Sequence, residues 1–391
     1  MIDPDGLAAF EHHLSTRIVF GVGSVDRAGE LTRETGARRA LLVTDAGIVK
    51  AGHVARVETL LRSAGLEVAV YDQVHENPTT ADVDRCVAFA RDAKIDVLVG
   101  LGGGSSMDTA KGCNFILTNG GRMQDYQGVG KATKPMLPFI AVPTTAGTGS
   151  ECQSAALIAD EHTHQKMACL DPKAAAHAAL LDPALTLSQP PRVTACTGVD
   201  AIAHALETAV TRKRNPLSLI YSQEAFKFCI HAFPAVMANP SDVDARERML
   251  LGAAFGGIAI ENSMLGAAHA AANPLTARHG IPHGQAVGMM LPHVVRFNSG
   301  VAAVGAAYAD LAVAGGIAPA GSSREGAVQA LMGQLEKILA MAGFPKSLAD
   351  AGVDRATIPS LAQEAAGQWT AGFNPRAVSR EDFVRLYEAA F

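Results

Sequence analysis

No block of more than three consecutive Lys or Arg residues occurs in the chain, the longest being Arg212-Lys213-Arg214, and the net charge is -5. Nucleic acid and anionic membrane surfaces are therefore not expected as partners. No apolar stretch is long enough to span a bilayer. The opening residues, Met1 to Asp5, have neither a basic n-region nor an apolar h-region, so no secretory leader is expected and the location read from this is cytoplasmic. No Cys-x-x-Cys pair is present. Cys86, Cys113, Cys152, Cys169, Cys196 and Cys229 stand singly and read as small buried hydrophobes in a reducing compartment. There is no internal repeat, and low complexity is limited to alanine-rich patches, which favour helix.

What is present is a globular chain of 391 residues, 48% hydrophobic and 18% charged. That length suggests two domains, and that balance excludes disorder. Arg17–Gly21, Arg39–Thr44, Leu66–Tyr71, Asp96–Gly100 and Pro138–Val142 read as short strands, the second as an apolar run buried on both faces. Helical spacing separates them at Val25–Thr35, His53–Ala64 and Asp82–Ala93, the last preceded by the cap-like Asn77-Pro78-Thr79-Thr80. Such alternation argues for a parallel, doubly wound sheet. Ala155–Ala159 and Lys166–Leu170 read as a hairpin across Asp160–Gln165, and Ala176–Leu181 as a further strand. Ser188-Gln189-Pro190-Pro191 marks the boundary, giving an α/β domain at 1–188 and an all-helical domain at 189–391. Long helical patterns fill the second part at about 193–210, 217–237, 245–259, 285–297, 324–342 and 380–391.

In doubly wound sheets ligands bind beyond the carboxyl ends of the strands. Three polar loops fall there: Asp45–Gly47, Gly100–Asp108 ahead of a helix containing Lys111, and Pro143–Glu151. Glycines at Gly102, Gly103 and Gly104 let backbone approach an anion, and the next helix offers free N–H groups to a diphosphate. A tight turn without ligand explains the same glycines, and the spacing is not Gly-x-Gly-x-x-Gly in its usual place. Asp45 suits a ribose diol, or simply a helix N-cap.

Asp200 and His204 are four apart and share one helix face. His269 and His283 follow in later segments. Alone, such a pair is commonly a solvated helix contact, and a lone histidine a satisfied core residue. The neighbours here, Ala201, Ile202, Ala203, Ala205 and Leu206, are apolar, and a buried charge needs a partner. One carboxylate and three imidazoles form an N3O set suited to Fe(II) or Zn(II).

With these residues in place, the sequence resembles the iron-containing (group III) alcohol dehydrogenase family. The likeness runs through Gly102-Gly103-Gly104-Ser105 with Asp108 and Lys111, Pro143–Thr148, Thr197–Asp200 with His204 and Glu207, His269, Pro282-His283-Gly284, Leu291-Pro292-His293 and Asn374-Pro375-Arg376. Its closest flavour is that of lactaldehyde and 1,3-propanediol oxidoreductases. The resemblance implies an N-terminal α/β domain that binds NAD(P) and a helical C-terminal domain that binds the metal, the dehydroquinate synthase-like architecture, with substrate and nicotinamide meeting between them. It implies Asp200, His204, His269 and His283 as metal ligands, with Fe(II) ahead of Zn(II). Gly102, Gly103, Gly104 and Ser105 would line the diphosphate, Asp108 the nicotinamide end, and Thr144, Thr145 and Thr148 the nucleotide pocket; Asn77 is counted with them. Asp45 would repel a 2'-phosphate and select NAD. The expected reaction is hydride transfer between NAD and a small primary alcohol, diol or aldehyde, by a homo-oligomer with a dimer favoured.

Three positions depart from the family pattern. Asn273 stands where a second histidine is usual, and an amide cannot carry a proton at neutral pH. Trp369 replaces a smaller residue, and Ile260 an aromatic, so the substrate pocket is expected to differ. His279 is a candidate to supply a proton relay, with nothing in the sequence to place it there. The rival readings are a hydroxyacid–oxoacid transhydrogenase, a metal-independent maleylacetate reductase-like enzyme, and a non-catalytic NAD- and metal-binding sensor.

Overall fold

Continuous apolar runs become a sheet covered on both sides. The structure is a computed structural model that describes residues 9–14, 16–163 and 165–391. The opening residues 1–8, where an irregular start without a leader is expected, lie outside the described residues.

The strands are β1 (Arg17–Phe20), β2 (Arg39–Val43), β3 (Glu67–Tyr71), β4 (Val97–Gly102), β5 (Gly128–Val129), β6 (Phe139–Pro143), β7 (Ala155–Ala159), β8 (Lys166–Leu170) and β9 (Ala178–Leu181). Six of them form one sheet in the order β1-β9-β6-β4-β2-β3, and every pairing in it is parallel. The helices of this unit are α1 (Ala28–Glu34), α2 (Ala46–Lys50), α3 (His53–Ser63), α4 (Thr80–Asp92) and α5 (Gly104–Asn119). Leu42, Val99, Ile140 and Leu180 bury against Leu31 of α1 and Val57 and Leu61 of α3, whereas α5 packs against β4 and α4. The chain leaves β2 for β3 on one side and returns to β4 on the other. That reversal makes the carboxyl ends of β2 and β4 the switch point at which such sheets bind ligands.

The expected hairpin is present as the antiparallel pair β7 and β8, in a separate three-stranded sheet with β5. Asp160 Oδ1 accepts the N–H groups of His162 and Thr163 at its reversal, of which residue 164 is not described. The glycine loop is shorter than the sequence suggests. The carbonyl of Gly103 already accepts the N–H groups of Ser106 and Met107, so Ser105 to Asp108 belong to the first turns of α5.

The helical unit comprises residues 190–391 with residues 9–13. That short segment is fixed by His13, whose N–H donates to Asn262 Oδ1 at 2.7 Å and whose carbonyl accepts from Asn262 Nδ2 at 3.0 Å. The helices are α6 (Pro191–Val210), α7 (Pro216–Ala238), α8 (Val243–Glu261), α9 (Ala267–His279), α10 (His283–Ser299), α11 (Ala302–Ala314), α12 (Arg324–Met341), α13 (Ile358–Ala366) and α14 (Arg380–Ala390). Helix α6 packs against α7, α8 and α10 and is buried around its whole circumference from Gly198 to Val210. Among the described residues no helix is long and apolar enough to cross a membrane.

Candidate functional site

Two places gather polar groups, one in each unit. In the helical unit the carrier is α6. Its proline at the first turn presets the helical φ, and small residues let neighbouring helices close in. Gly284 has the same use at the start of α10, since a Cβ there would run into the backbone carbonyl of Cys196 on α6. The glycine thus lets α10 bring His283 against α6.

These contacts assemble Asp200, His204, His269 and His283. Asp200 Oδ1 lies 3.3 Å from His269 Nε2, 3.5 Å from His204 Nε2 and 3.9 Å from His283 Nε2. Donor atoms of Asp200, His269 and His283 all stand within 4.8 Å of one another, and His204 joins through Asp200 and by stacking on His269 at 4.9 Å between centroids. Ligands held about 2.1 Å from one ion in a tetrahedral array are roughly 3.4 Å apart, so these separations fit a single small divalent cation. Asp200, His204 and His269 are each 4% exposed. Burial alone would raise the pKa of Asp200, but the imidazoles of His204, His269 and His283 outweigh it and hold the carboxyl well below its ordinary value. Burial likewise favours a neutral His269, yet Glu207 and Asp200 overcome it and raise that ring to about 9. Three imidazoles crowded on one carboxylate need a cation or shared protons to be stable, which is the chemistry of a metal site.

The other sequence candidates of this unit have different surroundings. Asn273, one helical turn beyond His269 on α9, donates from Nδ2 to Gln368 Oε1 at 3.0 Å. His279 lies in the last turn of α9 and meets Thr357 Oγ1 at 3.3 Å, away from the cluster's bonds. Trp369 follows Gln368 in a turn packed on α9, its ring edge-on to Phe373 and 39% exposed. Ile260 is buried at the end of α8. The sequence places Glu207 and Asn374 among the family motifs without giving either a role. Glu207 Oε2 lies 2.5 Å from His269 Nδ1, and Asn374 exchanges side-chain hydrogen bonds with Asn298 at 2.7 and 3.0 Å. The signal for Glu207 was available, since it is three residues past His204 and seven past Asp200, on one helix face. Gln368 and Asn298 carried no such signal.

In the sheet unit, the ends of β2, β4 and β6 converge. Asp45 caps α2, its Oδ1 accepting the N–H groups of Gly47 and Ile48 at 2.8 and 3.1 Å. Its Oδ2 faces the start of the glycine loop, 3.5 Å from where a Cβ on Gly102 would be. Capping thus occupies one oxygen of the carboxylate, and the other is turned toward the loop. Gly102 has φ +146°, and a Cβ there would strike Ser106 Oγ. A Cβ on Gly104 would come within 2.9 Å of Thr148, and one on Gly103 within 3.2 Å of Thr145. These two glycines are needed for loop packing whether or not a ligand binds. Gly103, just ahead of α5, offers no side-chain cap, which leaves the first N–H groups and the dipole of the helix open to an anion. Asn77, with φ +54°, donates its N–H to Ser105 Oγ at 3.2 Å and so borders the same loop. Thr144 is 2% exposed, and among the described residues its Oγ1 and the Ser106 Oγ have no hydrogen-bond partner.

Asp108 points inward. It accepts from Ser150 Oγ at 3.0 Å, and burial raises its pKa. Beside it Lys111 Nζ donates to the carbonyls of Ser150, Gln153 and Ala155 at 2.5 to 3.0 Å. Together they tie the third loop to α5.

The comparisons with known proteins agree along nearly the whole length. The model described as "Iron-containing alcohol dehydrogenase" matches residues 15–183, and "Fe-containing alcohol dehydrogenase family, C-terminal" matches 194–391. The NAD-dependent methanol dehydrogenase of Bacillus methanolicus is 34% identical over 95% of this chain and 97% of its own. The lactaldehyde reductase of Escherichia coli K12 is 36% identical with the same coverage. A solved 1,3-propanediol oxidoreductase superposes with a TM-score of 0.95 at 32% identity, covering 98% of this chain and 100% of that one.

Proposed function

We propose a function from one premise: the chain belongs to the iron-containing alcohol dehydrogenase family. It is an NAD-linked oxidoreductase of small alcohols and aldehydes. The observation that carries this reading is the convergence of three imidazoles on the buried Asp200. In it Asp200, His204, His269 and His283 hold the metal, with Fe(II) favoured over Zn(II). A divalent ion at that place supplies Lewis acidity, lowering the pKa of an alcohol and polarising a carbonyl.

The chain's own groups do the rest by position and charge. One carboxylate and three neutral imidazoles leave a divalent site with net positive charge, which favours an anionic oxygen over a neutral one. The α5 N-terminus with Gly102, Gly103, Gly104 and Ser105 holds the diphosphate, and Thr144, Thr145, Thr148, Asn77 and Asp108 border it. Asp45 binds the ribose diol and repels a 2'-phosphate, which makes the dinucleotide NAD. NAD carries the redox change as hydride at the nicotinamide. Asn273 orients by hydrogen bonds alone, because its amide does not titrate and already donates to Gln368. We read 1–188 as the cofactor part, 189–391 as the metal part, and the assembly as a homodimer. Cytoplasmic residence accords with the free cysteines, five of them buried.

The test is metal analysis combined with an NAD-coupled screen of short alcohols, diols and aldehydes, before and after chelation. Turnover lost on chelation and restored by Fe(II) or Zn(II) is the expected result. Full activity in metal-free protein would sink the metal reading, turnover without added NAD would favour a transhydrogenase, and NADH binding without oxidation of any alcohol would leave a sensor.

A further inference from the structure

Helix α9 begins without a cap of its own. The flanking residue, Gly266, has no side chain to accept the free N–H groups of the opening turn. Two residues from elsewhere in the helical unit take that place. Asn374 Oδ1 accepts the N–H of Ala267 at 3.2 Å, and Glu207 Oε1 accepts the N–H of Ala268 at 2.8 Å. Gly266 leaves room for both, since a Cβ there would stand 2.9 Å from the Asn374 oxygen and 3.0 Å from the Glu207 oxygen. The second oxygen of Glu207 reaches His269 Nδ1 at 2.5 Å. Glu207 is 3% exposed, and the same helix that bears it bears Asp200 and His204.

We infer that Glu207 is a positioning residue for the metal, acting through His269. An ionised carboxylate only accepts hydrogen bonds, so the bond between them must come from a proton on Nδ1. That leaves the Nε2 lone pair facing Asp200, where an ion is to be bound. A carboxylate behind the ring also makes Nε2 a stronger donor. By gripping the helix end and the ring at once, Glu207 fixes both where His269 stands and how it turns. Helix α6 thus supplies two ligands and the orienting group of a third. The assignment rests on the reading of Asp200, His204, His269 and His283 as ligands.

The informative substitution is Glu207→Gln. A glutamine can keep the bond to Ala268 through its oxygen, but its amide then presents N–H to Nδ1. The ring must answer with the other tautomer, placing a proton on Nε2. Affinity for Zn(II) and Fe(II), measured by chelator competition on the full chain, should fall about 10- to 100-fold. Asn374→Ala is the control: it removes the other bond at the same helix end, and should lower the melting temperature of the metal-free protein while metal affinity stays near wild type. Equal loss of affinity in both variants would mean that only the helix end matters, and unchanged affinity in Glu207→Gln would also overturn the assignment. Should that variant fail to fold, the wild type decides. In zinc-loaded protein labelled with 15N-histidine, His269 should show a protonated, strongly deshielded Nδ1 and a coordinated Nε2, and the reverse pattern refutes the proposal. A wild type that binds neither ion would bring down the ligand reading as well, whereas normal binding with an unaffected Glu207→Gln removes only the role given to Glu207.

Discussion

Asp200 and the imidazoles beside it are side chains carried on long packed helices, whereas the loops after β2, β4 and β6 offer mainly backbone. The first site depends on which atoms are present. The second depends on which are missing, because the close approaches at Gly102 and Gly104 leave no room for a Cβ. The helical site places charge where water is excluded and must neutralise it internally, as His269 does between Glu207 and Asp200. The sheet site leaves its charge at strand ends, where the uncapped start of α5 and one oxygen of Asp45 face the glycine loop. Polar recognition by side chains is thus concentrated in few residues, and recognition by backbone is spread over a loop.

The difference can be broken from either side. His269→Ala should abolish stoichiometric metal and reduce turnover on the order of a thousandfold, since several kcal/mol of charge stabilisation go with the ion, while NADH still binds. Elemental analysis and fluorescence titration check both halves. Gly102→Ala is the counterpart: a side chain forced to positive φ costs about 1–3 kcal/mol, so NADH affinity should drop about 10- to 100-fold with metal content intact. Loss of metal in that variant would mean that the two sites are not independent. Asp45→Ser keeps a capping oxygen but removes the charge, and should raise the NADP/NAD ratio of kcat/KM about tenfold. No change in the ratio would remove Asp45 from cofactor choice.

Two smaller effects concern protons. In metal-free protein His269 has its pKa raised to about 9 from an ordinary value of 6.5. Its contribution to stability is therefore complete below about pH 6.5 and is lost as the pH rises through about 9. Melting curves of metal-free protein across that window should show the loss, and His269→Ala should flatten that part of the slope. Metal must displace the same proton, so zinc affinity should rise with pH up to about 9. Asn273→His should shift the pH profile of kcat by up to about one unit, as a group titrating near 6.5 enters beside Gln368. An identical profile would show that position 273 has no part in proton movement.

Much of the sheet unit was legible. Its strands are apolar runs, and the loops that matter follow from where those runs stop. The glycine loop was read too long because Ser105 and Ser106 look like turn residues, whereas the Gly103 carbonyl recruits them into α5. The helical unit was less legible. The sequence shows no helical pattern over 267–279, yet α9 runs through Asn273-Pro274; the proline removes one intrahelical bond there, and Tyr387 of α14 donates to the neighbouring Ala271 carbonyl at 2.7 Å. The cap of α9 was invisible for a related reason. It comes from Glu207 and Asn374, which are 61 and 107 residues away in the chain from the groups they bind.

By itself, the order of residues determined which chemistry the chain carries: an acid and a histidine one turn apart, two later histidines, a glycine-rich strand end. These are local facts, set by helix and strand periodicity. Only the folded chain decided that Asp200 meets three imidazoles at 3.3 to 3.9 Å, that Asp45 divides its two oxygens, and that Glu207 rather than His279 stands behind His269. Such pairings depend on how helices close on one another, and that is settled by packing over distances along the chain that no local pattern encodes.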